Sequence, residues 1–289
     1  MAAGSESILA ADGGEAAVAY EERGDGEPVL LVHAGLLSGW FLPVSRSAQL
    51  EGFRVVRLRR AGYVPGRPPA RHLSIADHAH HCAAVIDALG LGGVHFVGHS
   101  SSCLIGLQLA LDRPEAVRSL VLLEPAPGGA LHGPADEQLV ATVLGPAMRA
   151  FASGDLKAAF DTFMRGVGGD GYREWLELRL GAGGWEKAVA ESAFFFADEA
   201  RAVQEWSFGA AEASRVGQPA LVVLGGESAR QTLVFDETVE RLTALLPQPR
   251  MLRLPGVNHM MPLQDPGAVA GTIAEFARAQ TRAGVAGPA

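Results

Sequence analysis

Short apolar runs alternate with stretches of helical spacing along the first half of the chain. Ala16 to Arg23 and Pro28 to His33 predict strands. The second, with its unbroken Val29-Leu30-Leu31-Val32, has the pattern of a strand covered on both faces. Phe53 to Leu58 predicts a third. Ser74 followed by Asp77 predicts a capped helix start, and Ile75, Ala79, Cys82, Val85, Ile86 and Leu89 keep one apolar face until Gly90. Val94 to Val97 then reads as a strand, Ser101 to Leu111 as a helix and Ser119 to Leu123 as a strand. Strands separated by helices predict a parallel, doubly covered sheet, and so an α/β fold.

From Pro125 the pattern changes. Helical, aromatic-rich stretches follow one another with glycine breaks: Gln138 to Ala152, Leu156 to Arg165, Tyr172 to Leu180, Trp185 to Phe196 and Glu199 to Ser214. Strand and helix alternate again over Ala220 to Leu224, Thr238 to Leu246, Arg250 to Leu254 and Ala268 to Ala279. The pattern divides the chain into an α/β core, residues 1–124 and 218–289, and a helical cap, residues 125–217. The closing TRAGVAGPA reads as a frayed tail.

Composition narrows the function classes. With 48% hydrophobic and 19% charged residues the chain can bury a core. A net charge of −8 argues against wrapping nucleic acid. The expected partner is a small-molecule substrate, bound by a monomer or small homo-oligomer. Cys82 and Cys103 are too few for a disulfide scaffold, and the opening MAAGSESILA lacks a basic, then apolar, leader pattern; the expectation is a cytoplasmic protein. Leu91 to Leu111 carries no Asp, Glu, Lys or Arg over about the length of a membrane span. Its glycines, histidines, three consecutive serines and Gln108 instead predict a buried strand, a turn and a buried helix, with no membrane partner.

Taken alone, that turn is either a candidate for catalysis or a polar loop or plain helix N-cap. In Gly98-His99-Ser100-Ser101-Ser102, a serine placed between strand and helix projects its hydroxyl above the sheet edge, with the next N–H and the helix N-terminus aimed at any oxyanion formed there. Gly98 and Ser102 supply the small neighbours that the close approach needs. His33-Ala34-Gly35 ends an early buried strand, and Leu254-Pro255-Gly256-Val257-Asn258-His259 follows the last one. Together with RLRRAGY (57–63), FVGHSSS (96–102), AVRSLVLLEP (116–125) and PALVVLGG (219–226), these make the sequence resemble the α/β-hydrolase fold family from about Ala16 to Phe276. The resemblance implies that Ser100 is the nucleophile and His259 its general base, with the Gly35 and Ser101 N–H groups as the oxyanion hole and Leu36 N–H as a second candidate donor. It implies no cofactor and no metal.

The acid departs from the family's common pattern. Where most members place an Asp after the strand that is Ala220 to Leu224 here, counting lands on Ser228. Glu124, at the end of the strand after the nucleophile helix, is the preferred candidate, because some haloalkane dehalogenases of the family carry their acid there and a carboxylate closing an apolar run is costly to bury without a role. Glu227 is the alternative, and a Ser-His dyad a third. His72, His78, His80 and His81 match no metal spacing and read as solvated or structural. His99 is expected to pack under the turn. Cys103 reads as a small buried hydrophobe, and the six arginines between Arg54 and Arg71 as a solvated loop edge. Phe194, Phe195, Phe196, Trp175, Trp185 and Trp206 form either a lid over the site or the cap's own core. The expected activity is hydrolysis of an ester, thioester or lactone of a small, partly hydrophobic molecule. A Ser in place of an Asp nucleophile argues against dehalogenase or epoxide hydrolase activity, which needs a carboxylate to form the alkyl-enzyme ester. C–C bond hydrolysis, acyl transfer or cyclisation would use the same residues, and a catalytically degenerate ligand-binding protein is the alternative from another class.

Overall fold

A computed structural model describes residues 6–285. Eight strands form one sheet: β1 (Ser7–Ala11), β2 (Ala16–Arg23), β3 (Glu27–Val32), β4 (Phe53–Arg59), β5 (Val94–His99), β6 (Val117–Leu123), β7 (Ala220–Gly225) and β8 (Pro249–Leu254). Their order is β1-β2-β4-β3-β5-β6-β7-β8. The β1–β2 and β2–β4 pairs are antiparallel and every later pair is parallel. β1 has no counterpart in the sequence reading, because SILAA is short and only its last residue is buried.

The apolar runs separate residue by residue onto two faces. Leu30, Val32, Val56, Phe96, Leu122 and Val222 pack with the helices Ile75–Ala88, Ser101–Asp112 and Val234–Leu245. Val29, Leu31, Val55, Val97, Val121 and Val223 pack with the helix Pro266–Val285 through Val269, Ile273 and Phe276. This period of two places alternate side chains on opposite sides of a pleated sheet, so a strand buried on both sides shows no polar position. The capping box at Ser74 and Asp77 forms as expected. The end of the chain does not fray where predicted: the last helix continues to Val285, and residues 286–289 of the predicted tail lie outside the described residues.

The charge-free stretch from Leu91 to Leu111 is β5, a turn and the following helix, buried almost throughout. Among the described residues no helix is long and apolar enough to cross a membrane. Between β6 and β7 the described chain is helical. Pro134–Leu139 runs through a π-helical turn, Val140–Leu144, into Gly145–Ala152, and Phe195–Glu199 is a second π-helical turn. The predicted helix over Glu199 to Ser214 is broken at Trp206, which stacks on Phe208 with ring centroids 4.9 Å apart and donates its indole N–H to Gln108.

Register fixes where the loops emerge. Val32 lies beside Gly98, His99 beside Leu123, Leu123 beside Val223 and Gly225 beside Leu254. The loops after β3, β5, β6, β7 and β8 therefore leave the sheet along one edge, where open α/β sheets bind ligands.

Candidate active site

Strain concentrates along that edge. Four non-glycine residues among those described have a left-handed φ: Asp12, Leu36 (72°), Ser100 (55°) and Glu124 (43°). The last three follow β3, β5 and β6. Such conformations cost of order 1–3 kcal/mol each and persist only where the surroundings impose them. Around Ser100 the imposing contacts are the backbone bonds of its N–H to Leu123 O (2.9 Å) and of its carbonyl to Cys103 N (3.0 Å). A Cβ on Gly98 would lie 2.7 Å from the Ser102 carbonyl oxygen, so only glycine lets strand and helix close the turn. Ser102 Oγ accepts from His99 N and donates to Val32 O, tying the turn to the neighbouring strand.

His259 stands in the loop after β8 with its ring stacked on Phe235, centroids 4.0 Å apart. The loop is held by Asn258, whose side chain accepts from Met260 N and donates to Gly168 O. The His259 Nδ1 lies 2.8 Å from Glu124 Oε2. When Glu124 is ionised, that bond takes the imidazole proton on Nδ1 and leaves Nε2 with its lone pair free. The other carboxylate oxygen of Glu124 accepts from Gly225 N (2.6 Å) and from the Ser228 hydroxyl. Burial pushes the Glu124 carboxyl up to about 7, against the pull of the Ser228 hydroxyl and the Gly225 N–H. Burial also pushes the His259 imidazolium down, which favours the neutral base.

The structure thus brings Glu124, not Glu227, to His259. Glu227 is one-third exposed and pairs with Arg230 at 2.7 Å. Ser228, at the position where the family's Asp was sought, serves the Glu124 carboxylate as a donor. His99 packs beneath the turn as expected and donates from Nε2 to the His259 carbonyl (3.0 Å). Cys103 is fully buried, and burial raises its thiol well above the usual range, in keeping with a core residue.

Ser100, Ser101 and His259 line one cavity together with Ala126, Leu139, Val140, Phe163, Phe195 and Phe235. It offers about 90 Å³ for the centres of water-sized groups, several times what a single water needs. Apart from Ser100, Ser101 and His259 its walls are largely apolar, with Gln204, His132 and Asp136 as the further polar residues.

Of the predicted oxyanion donors, the Gly35 and Leu36 N–H groups are occupied. Gly35 N–H donates to Ser101 Oγ (3.1 Å) and Leu36 N–H to the Tyr63 hydroxyl (3.0 Å). Both hydroxyls in turn donate to Glu199 of the π-helical turn, as does Arg60 Nη2. This corrects the reading of the arginine cluster as a solvated edge: Arg60 and Arg57 are buried, Arg60 against Glu199 and Arg57 against Glu21. Phe195 lines the cavity and lies against Gly35, Phe194 packs on Tyr63, and Phe196 meets Phe151 and Phe163 within the helical segment between β6 and β7.

The alpha/beta hydrolase family model matches residues 29–272. The chain belongs to the alpha/beta hydrolase family. A protein of Variovorax paradoxus named as a carbamate hydrolase, RutD, is 42% identical over 110 residues, which cover 36% of this chain and 41% of that protein. The chain spans about two fifths of the length of such curated relatives. Among solved structures, the enol-lactonase of Burkholderia xenovorans superposes with a TM-score of 0.75 at 18% identity, covering 94% of this chain and 100% of that one. A thermophilic esterase of Thermogutta terrifontis gives 0.72 at 20% identity, covering 96% and 99%. At these identities the superpositions speak for the fold.

Proposed function

We propose that the protein is a serine hydrolase that cleaves a small, partly hydrophobic ester, thioester or lactone through an acyl-enzyme on Ser100. The observation that carries this reading is one arrangement: Ser100 on a strained strand-to-helix turn, sharing an apolar cavity with a His259 whose Nδ1 is bonded to buried Glu124. In this mechanism His259 Nε2 takes the Ser100 proton as Oγ attacks the acyl carbon, then delivers it to the leaving group. Glu124 fixes the tautomer and stabilises the imidazolium. Water then attacks the acyl-enzyme with His259 again as base. The names borne by the partial relatives and the structural neighbours, carbamate hydrolase, enol-lactonase and esterase, all denote attack at an acyl carbon and support the same reaction class.

The test is labelling by a fluorophosphonate probe together with turnover of a panel of p-nitrophenyl acyl esters. The wild-type protein is expected to take up the probe and hydrolyse short to medium esters, and Ser100→Ala to lose labelling and about 10⁴- to 10⁶-fold in kcat. Labelling or turnover that survives in Ser100→Ala overturns the proposal.

A further inference from the structure

A second set of groups meets at the same turn. The Ser101 side chain, only 3% exposed, faces the cavity beside Ser100. Its Oγ accepts from Gly35 N at 3.1 Å and donates to Glu199 Oε1 at 2.6 Å. Arg60 Nη2 reaches that same carboxylate oxygen at 2.7 Å, and the Tyr63 hydroxyl reaches the other at 2.5 Å. The Gly35 N–H is therefore taken by a hydroxyl that itself lines the cavity.

We propose that the Ser101 hydroxyl is itself a donor to the oxyanion, parked on Glu199 in the resting protein and turned toward the acyl oxygen as the adduct forms on Ser100. The inference rests on the acyl-transfer reading above. The Gly35 N–H keeps its bond to Ser101 Oγ throughout, so the oxyanion meets the Ser101 O–H in place of the Gly35 N–H. Turning the hydroxyl requires rotation about its Cβ–Oγ bond and moves no heavy atom. Glu199 then keeps Arg60 on one oxygen and Tyr63 on the other, so releasing Ser101 does not strip a buried carboxylate of partners. Left on Glu199, the hydroxyl would present only lone pairs to the growing negative charge. No proton leaves Ser101: the bond that forms is Ser100 Oγ to the acyl carbon, the carbonyl π electrons move to the oxygen, and the Ser100 proton passes to His259.

The experiment compares a matched oxoester and thionoester on wild type, Ser101→Ala and Ser101→Cys, with rates normalised to active sites titrated by the fluorophosphonate. Sulfur is a poor hydrogen-bond acceptor, so the oxo-to-thiono ratio of kcat reads the strength of the oxyanion donors and is insensitive to general damage to the fold. In Ser101→Ala the oxoester kcat is expected to fall about 10- to 100-fold, with KM changed less than about twofold and the ratio reduced by about the same factor as kcat. Ser101→Cys keeps a side chain of similar size but only a weak donor. It is expected to shrink the ratio in the same direction, and decides the matter if the alanine variant does not fold. An unchanged or increased oxoester kcat in Ser101→Ala, or a fall that leaves the ratio intact, overturns the proposal while leaving the acyl-transfer reading standing. A wild type that neither labels nor turns over any ester overturns both.

Discussion

Two fully buried glutamates stand beside one cavity, and they are held in opposite ways. Glu124, at the end of β6, has His259, a backbone N–H and the Ser228 hydroxyl around it, with no permanent cation in contact among the described residues. Glu199, brought in by the π-helical turn between β6 and β7, has the Arg60 guanidinium and two hydroxyls. Burial raises the protonation point of a carboxylate with no cation against it, and each hydrogen bond it accepts lowers that point again. One paired with guanidinium is half of an ion pair, and removing either half strands the other. The difference separates a carboxylate that orients one imidazole from one that ties several segments together.

The sharpest way to break this comparison is to neutralise each glutamate without changing its shape. Glu124→Gln is expected to lower kcat by about 10³- to 10⁴-fold with the unfolding midpoint little changed, because an amide no longer imposes the Nδ1–H tautomer on His259. Steady-state kinetics beside a urea titration separate the two effects. A loss of that size in Glu227→Gln, with Glu124→Gln fully active, would reverse the assignment of the acid.

Glu199→Gln is expected to show mainly in stability. It leaves Arg60, only 1% exposed, with its charge unpaired, which costs about 3–5 kcal/mol of unfolding free energy. Replacing both partners with apolar residues, Arg60→Met with Glu199→Leu, should recover most of that loss in the same urea titration. If Glu199→Gln costs under about 1 kcal/mol, below the range for breaking a buried pair, the two carboxylates are not distinguished by their partners as argued.

The smallest effect sharpens the Glu124 side. The Ser228 hydroxyl stabilises the ionised carboxylate, so in Ser228→Ala the protonated form is favoured and protonation occurs at higher pH. The acid limb of kcat/KM should therefore move upward by about half to one pH unit, the equivalent of one hydrogen bond. An acid limb that stays in place or moves to lower pH would show that Ser228 does not act on this carboxylate.

The same pair of glutamates shows how far the sequence could be read. Glu124 was legible because it closes the apolar run Leu120-Val121-Leu122-Leu123, and a charge at the end of a doubly buried strand announces itself. Ser100 was legible because it follows a strand buried on both faces and opens a helix, whereas His259 was picked out by the family resemblance, the strand before it being largely exposed. Glu199 carried no such signal. It lies in ADEARAVQEW, a helical stretch with other acids and ordinary amphipathic spacing. Arg60, Tyr63 and Ser228 were visible as residues, but nothing near them in the chain indicates what they touch.

The sequence by itself determined the alternation of strands and helices, the sheet covered on both faces, and the turn that presents Ser100, because these depend on periodicity and on small residues at close approaches. Tertiary structure decided which acid meets His259, since strand register carries Glu124 to it and leaves Glu227 exposed against Arg230. It also decided that the Gly35 and Leu36 N–H groups are filled by hydroxyls bonded to a carboxylate 163 residues further along than Leu36. Partnerships of that kind are set by packing across distant segments, and a one-dimensional pattern holds no record of them.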